Sequence, residues 1–458
     1  MESRAGFLKR LSRAYFEIMD HATSWFVASR MLGFISSPVT LVLIGLNLTP
    51  VQQGYFYTLY NILSFIVFFE LGLGGVLIYI IGHHTSGIVW NSRKDISGPP
   101  ETMRWLSGLF RKIVVWYGAM GIAFLAIVLP VGYYVLSSSK GLPASEYVPP
   151  FILTVVMFGI CVFLGGFSSL VEGTGCIHRV KRMQFFQGVA GASGVILGLA
   201  LHFGLWAVAF GQIAAFFVLG GWVLSYREIF RKLVVDRKHS QTVRWSKEVL
   251  PLQWRIAVTW LSGYFINMSF VPILFAYRDP IEAGQMGMEL KVSGALYLVS
   301  VGLVTTKAAK LSGLAVSDRA AFFRMVRHNA LAAIGLSFAG AAALAVLLLL
   351  LKDWWPSFPQ RLLPFWPTMA IMGVSILAAG LSSLQVYARA QKQDPFIWAN
   401  LTTAACVVVI TFYTAINMDA SAMAYGYFLV VLLISVPMHL YFLRFVKLLP
   451  EPLSTKSE

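Results

Sequence analysis

Apolar runs of about twenty residues or more, separated by short polar breaks, recur from one end of the chain to the other. In approximate limits they fall at 22–47, 52–82, 112–136, 148–171, 183–203, 205–226, 253–276, 281–305, 329–351, 363–387, 395–416 and 421–443. Barrel strands would alternate apolar and polar residues, whereas these runs are continuous, so each is read as a helix that satisfies its own backbone. The pattern predicts an all-α polytopic membrane protein with about twelve transmembrane helices. The first run is not read as a cleavable signal: it is too long, carries Arg30 and lacks a small-residue cleavage site. Ahead of it, Phe7, Leu8, Leu11 and Tyr15 recur at helical spacing among Lys9, Arg10 and Arg13, the pattern of a short basic helix on the inner leaflet.

Composition agrees. Only 12% of residues are charged against 57% hydrophobic, where a soluble domain averages nearer a quarter charged, and an ordinary cytosolic enzyme is excluded. The net charge of +16 raises the question of nucleic acid, but the basic residues flank spans and form no single patch. Thirty of the 36 Lys and Arg lie before span 1, after span 12 or in the alternate loops between, and the opposite loops hold four: Lys140, Arg278, Lys352 and Arg361. This asymmetry predicts both termini in the cytoplasm. The outer loops are short, and the segments 83–111 and 227–252 are too small to hold a soluble catalytic core. Cys161, Cys176 and Cys406 suggest neither a disulfide framework nor a metal site. Gly72-Leu73-Gly74-Gly75 lacks the strand-to-helix setting and the Lys of a phosphate loop, and reads as a flexible or tightly packed helix segment. No cofactor or metal is expected.

The turn after span 1, Pro50-Val51-Gln52-Gln53-Gly54, matches Pro280-Ile281-Glu282-Ala283-Gly284 after span 7, an offset of 230 residues. At the same offset Ser29 meets Thr259, and Gly33-Phe34 meets Gly263-Tyr264. With six spans on either side, this predicts a parallel repeat of two six-helix lobes. The expected organisation is an N-terminal lobe at 1–226, a basic cytoplasmic linker at 227–252 and a C-terminal lobe at 253–458.

Gly54-Tyr55-Phe56-Tyr57, followed by Phe69-Glu70-Leu71-Gly72-Leu73-Gly74, resembles the second helix of Wzx-type polysaccharide flippases. These belong to the multidrug/oligosaccharidyl-lipid/polysaccharide exporter (MOP) superfamily. Leu252-Gln253-Trp254-Arg255-Ile256-Ala257, Trp260-Leu261-Ser262-Gly263-Tyr264-Phe265, Ala283-Gly284-Gln285-Met286-Gly287-Met288 and Thr306-Lys307 resemble one bacterial branch of that group. The matched motifs cover spans 1–2 and 7–8. The resemblance implies two lobes around a polar central cavity, alternating access, and a multi-pass protein of the bacterial inner membrane. It also implies an undecaprenyl-diphosphate-linked oligosaccharide as cargo, bound for O-antigen or exopolysaccharide, with polysaccharide polymerase and chain-length machinery as candidate partners beside membrane lipids. Glu289 and Lys291 stand where the family pattern has uncharged residues.

Charges inside spans are costly, about 2.5–3.5 kcal/mol each on insertion scales, and each asks for a reason. Arg30 and Glu70 lie 20 residues before and after Pro50, so a hairpin turning there brings them to one depth. Two readings stand: a structural ion pair, or Arg30 on a cavity wall where it binds diphosphate. Glu289 and Lys291, two residues apart on a helix, face nearly opposite ways and cannot pair. Lys291 shares a face with Gly284, Gly287 and Gly294, while Glu289 joins Gln285, Ser293 and Ser300. On span 7, Gln253, Trp260, Tyr264 and Asn267 line one face, combining aromatic platforms with amides that suit sugars. The candidate substrate-binding set is Arg30, Lys291, Arg255, Gln253, Trp260, Tyr264, Asn267 and Gln285, and Glu70 and Glu289 are the candidate ion-coupling residues. Two rivals are weighed against the flippase: a drug antiporter of the same superfamily, and a membrane-embedded glycan-modifying enzyme. The enzyme is disfavoured because the outer loops carry few acids and no Asp-x-Asp.

Overall fold

A computed structural model of the chain describes residues 21–85, 87–92, 95–139, 141–235 and 245–448. The basic helix expected at residues 7–15 lies outside them. Among the described residues, ten helices are long and apolar enough to cross a membrane, and two interrupted helix pairs do so together. These twelve spans are His21–Asn47, Pro50–Glu70 with Leu73–His84, Pro100–Ser137, Ala144–Gly173, Ile177–Ala200, Trp206–Ser225, Ile256–Asn267 with Phe270–Tyr277, Pro280–Thr305, Arg319–Trp354, Phe365–Ala390, Ile397–Asn417 and Ala420–Leu443. Each coincides with an apolar run, and the chain is a multi-pass, all-α membrane protein. Spans 3 and 9, of 38 and 36 residues, begin ten or more positions before the apolar runs they contain. At 1.5 Å per residue each is longer than 50 Å against a hydrocarbon core of about 30 Å, so the helices continue into basic sequence that hydropathy does not register.

The chain divides into two compact units, Met1–Asn47, Phe65–Tyr133 and Pro143–Ala257 in the first, and Leu48–Ser64, Tyr134–Leu142 and Val258–Glu458 in the second. In the first, span 1 packs on span 5, span 5 on span 6, and the C-terminal part of span 2, Leu73–His84, on span 4. Leu77, Leu106, Phe110 and Leu170 are buried at its core. The linker contributes to this core as well. Its helix Arg227–Val235 is amphipathic and buries Ile229, Phe230 and Leu233 there, while Trp245 stacks on Trp116 at 5.2 Å. A two-stranded hairpin not foreseen in the apolar pattern, β1 (Val89–Trp90) and β2 (Ile96–Ser97), aligns Trp90 with Ile96. The Trp90 ring lies edge-on to Tyr226 and its indole N–H donates to the Thr174 carbonyl. In the hairpin turn the Asn91 amide, with Lys232 nearby, holds the Asp95 carboxyl below the usual carboxylate range.

In the second unit the N-terminal half of span 2, Pro50–Leu63, packs along span 8. The repeated turn motif explains how. Both helices start with Pro in the first turn, where its missing N–H is not needed. Thr49 caps one in a capping box with Gln52, and Asp279 Oδ1 caps the other by accepting from the Ile281 and Glu282 amides at 2.7 and 2.9 Å. The two motif glycines then meet at the crossing. A Cβ on Gly54 would overlap the Pro280 carbonyl, and one on Gly284 would stand 2.8 Å from the Gly54 nitrogen. Next to them Gln53, 1% exposed, donates to the Gly284 carbonyl at 2.9 Å and the Arg361 carbonyl at 3.0 Å. Span 7 is bent by 50° between Asn267 and Phe270.

Backbone against backbone leaves nothing flexible to yield, so Gly54→Ala should cost about 1–3 kcal/mol of stability. Thermal unfolding of the purified protein in detergent should show a clearly lowered transition. Gly313→Ala, where nothing lies within 4 Å of the added Cβ, is the control and should leave it unchanged. A Gly54→Ala protein that melts with the control would mean that the two helices do not meet at this crossing.

Candidate functional site

The break in span 2 follows from its sequence. Leu71 and Gly72 both take left-handed backbone angles, φ 50° and 70°, which end one helical stretch and start the next. The Gly-rich segment is therefore a helix break. Glu70, just before it, turns back over the start of Leu73–His84, where its carboxylate accepts from the Gly74 amide and from Tyr117 OH at 3.4 Å. A Cβ on Gly74 would stand 2.9 Å from Glu70 Oε1, 3.3 Å from Ser169 Oγ and 3.4 Å from Tyr117 OH, so only glycine lets the three oxygens converge. They line a cavity of about 290 Å³ with Ser168, Gln184 and the ion pair Lys181–Glu172, whose charged atoms are 2.7 Å apart.

Arg30 and Glu70 are not brought together. Span 1 packs on span 5, and Arg30 stands exposed with its guanidinium 5.1 Å from the Phe26 ring centroid, while Glu70 takes its partners from span 3 and its own helix break. Equal spacing about Pro50 sets depth only if the two helices pack as a hairpin, and span 1 takes span 5 as its neighbour.

In the second unit Lys291 and Glu289 point apart. Lys291 is exposed, with its amino group 5.8 Å over the Tyr60 ring. Of the glycines on its face, Gly284 and Gly287 are filled by the N-terminal half of span 2, with Tyr57 beside Gly287, whereas among the described residues nothing lies within 4 Å of a Cβ on Gly294. Glu289 is fully buried, its Oε2 is 3.1 Å from Thr368 Oγ1, and its Oε1 has no hydrogen-bond partner among the described residues. Further along span 8, Ser293 meets Ser375 on span 10, Tyr297 OH lies 2.7 Å from Ser382 Oγ, and Ser300 accepts from Ser337 of span 9 at 2.7 Å.

The remaining candidates divide. Trp260 and Asn267 are exposed, though the Asn267 amide donates to its own helix at the Gly263 carbonyl. Gln253 and Tyr264 are buried, 3% and 5% exposed, so the face expected on span 7 is not uniformly open. Gln285 donates to the Gln360 carbonyl at 2.9 Å. The side chain of Arg255 lies outside the described residues. In the sequence Tyr117, Ser169, Tyr60 and Thr368 are ordinary residues until the fold sets them beside a charge. Only the hydroxyls of span 8, recurring at helical spacing after Glu289, left a readable sign.

No family model and no curated protein matches the chain. Solved structures do. The chain is similar to lipid II flippase MurJ in its inward closed conformation, with TM-score 0.64 at 12% identity over 92% of this chain and 87% of that one. An inward-facing MATE family multidrug resistance transporter of the MOP superfamily matches at TM-score 0.59 and 12% identity, covering 92% and 98%. The MATE multidrug transporter DinF-BH in complex with R6G matches at TM-score 0.50 and 11% identity, covering 92% and 96%. Taken with the twelve spans, these likenesses give the chain the fold of MOP-superfamily transporters.

Proposed function

We propose that this protein is an alternating-access transporter that carries a polyprenyl-diphosphate-linked oligosaccharide from the cytoplasmic to the outer leaflet of a bacterial inner membrane, with both termini in the cytoplasm. Lys291 carries the reading. It is a cation about 16 Å along span 8 from Pro280, close to the depth of the bilayer centre, exposed, and without a carboxylate partner among the described residues. An unpaired charge at that depth is expensive unless it meets water or an anionic ligand, and a diphosphate supplies the anion. Arg30, exposed within span 1 and likewise without a carboxylate among the described residues, gives a second cation of the same kind. Trp260 and Asn267 offer a ring face and an amide to a glycan. The likeness to a lipid II flippase supports cargo of this class.

A second reading, extrusion of cationic drugs, is supported by the likeness to multidrug transporters and by the carboxylate of Glu70 in its cavity. The cations at Lys291 and Arg30 favour the first, because they repel an organic cation.

Two measurements test this. In vesicles holding the purified protein and a fluorescent lipid-diphosphate oligosaccharide, Lys291→Ala should slow transfer between leaflets by about 10- to 100-fold, the loss of one charge-assisted hydrogen bond. Folding should be unaffected, and Lys291→Arg should recover part of the rate. Transfer at the normal rate in Lys291→Ala would remove the anchor. In a competition assay on the wild type, rhodamine 6G should fail to displace the labelled glycolipid, and displacement would shift the reading to drug transport.

A further inference from the structure

We propose that Glu289 is a proton-binding site, loaded with its proton in this conformation, and that the hydroxyl ladder beyond it along spans 8, 9 and 10 is its path to the inner end of the second unit. Coupling to transport deepens the function proposed above and rests on it, whereas the proton site stands by itself.

Thr368 Oγ1 lies 3.0 Å from the Leu363 carbonyl and 3.1 Å from Glu289 Oε2. A hydroxyl has one hydrogen, and a carbonyl only accepts. That one hydrogen cannot serve both acceptors: given to Glu289 it leaves the Leu363 carbonyl without it, whereas a protonated Glu289 carboxyl, donating to Thr368 Oγ1, satisfies both contacts. Burial agrees: the side chain is fully buried, and ionised it would leave Oε1 with neither partner nor countercharge.

Several charges on the surrounding elements are engaged elsewhere. On its own helix Lys291 turns to Tyr60, and Glu282 holds Arg278 at 3.4 Å and the Ala420 amide at 2.7 Å. Before span 10, Arg361 turns to Gln53, and at the far ends Lys307 holds Asn329 at 3.0 Å and Arg389 holds Asp394 at 3.1 Å. The phenols on these elements are Tyr57 and Tyr60 on span 2, Tyr297 on span 8, which meets Ser382, and Tyr427 on span 12, and His439 on span 12 is occupied with Gln385.

From Glu289 the rungs follow at Ser293, Tyr297 and Ser300, one helical face covering about 16 Å. Their partners on span 10, Thr368, Ser375 and Ser382, recur every seventh residue and so share a face too. The second rung has a direction: Ser375 Oγ donates to the Ser293 carbonyl at 3.2 Å, so Ser293 Oγ donates to Ser375 Oγ. Successive rungs are about 5–6 Å apart, a gap that one water bridges. Packing alone explains paired serines between helices. It does not explain a ladder that ends on a buried acid. The step is a simple one. A hydronium on one side gives its proton to the Glu289 carboxylate, leaving water and cancelling the charge as the site closes, and the carboxyl returns the proton to a water as hydronium when the site opens to the other side.

Infrared difference spectra of the full-length protein in vesicles, without cargo, should show a protonated-carboxyl band that falls when pH is raised. Glu289→Gln should lose it, and Glu289→Asp should keep it at a shifted position. The Ser375→Ala, Ser382→Ala double variant should keep the band and slow its decay after a pH jump. For one coupled proton, a one-unit pH gradient should support about ten-fold accumulation of the labelled glycolipid in the wild type, and little in Glu289→Gln. A band unmoved by Glu289→Gln, or no such band, would overturn the site whatever the chain carries. Gradient-driven transport in Glu289→Gln equal to the wild type, or a wild type driven by sodium and indifferent to pH, would overturn the coupling. A band lost in Glu289→Gln while the wild type moves no glycolipid would uphold the proton site and fail the cargo alone.

Discussion

Every polar group carried into hydrocarbon must find its partner within the protein, because no water is there to take its place. For the backbone this dictates helices. For side chains it dictates local solutions, and most hydroxyls in the spans take the nearest, donating to the carbonyl four residues back: Ser29 to Trp25, Thr40 to Ser36, Thr403 to Ala399, Thr414 to Ile410. Groups that go unsatisfied or are satisfied at longer range stand out against this background. Among the described residues Lys291 has only a ring beneath it, Glu289 has an oxygen without a partner, and Glu70 draws on a neighbouring helix and a backbone break. Chemistry concentrates where the rule is met least easily.

Helix breaks are the second consequence. A span that ends early exposes amides and carbonyls, so a break survives only where something covers them. At Leu71 and Gly72 the Glu70 carboxylate covers the restarted helix. Near Met268, the bend of span 7 is eased by Ser269, whose hydroxyl donates to the Phe265 carbonyl. Close backbone approach is the converse device. Where Gly54 meets Gly284, missing side chains let carbonyl and amide groups of two helices lie in contact, and Gln53 fills the remaining hydrogen-bonding need. Small residues thus do in lipid what burial of large apolar ones does in water.

Membrane spans, loop asymmetry and the repeated Pro-x-x-x-Gly turn are local properties, written in runs of neighbouring residues, and they were legible without coordinates. So was the divergence of Glu289 and Lys291, since a helix separates positions two apart whatever surrounds it. The Arg30–Glu70 pairing was not, because it assumed which helix lies beside which. Twenty residues either side of a turn makes two positions level only if the strands of the hairpin stay together, and span 1 chose span 5. Span 7 carries the same lesson: its aromatic and amide residues share a face by count, but burial of Gln253 and Tyr264 depends on neighbours from elsewhere in the chain.

Hydropathy and charge order by themselves determined that this chain crosses the membrane about twelve times with its basic loops on one side. They also marked the few charged positions that would need an explanation. Tertiary structure alone decided what those charges touch: Tyr60 for Lys291, Thr368 for Glu289, Tyr117 for Glu70, partners 47 to 231 residues away along the chain. The physical reason is the reach of each force. Transfer of a side chain into lipid is an energy of that residue alone and adds along a segment, whereas a hydrogen bond needs two atoms within about 3 Å, and only packing of distant helices brings them there.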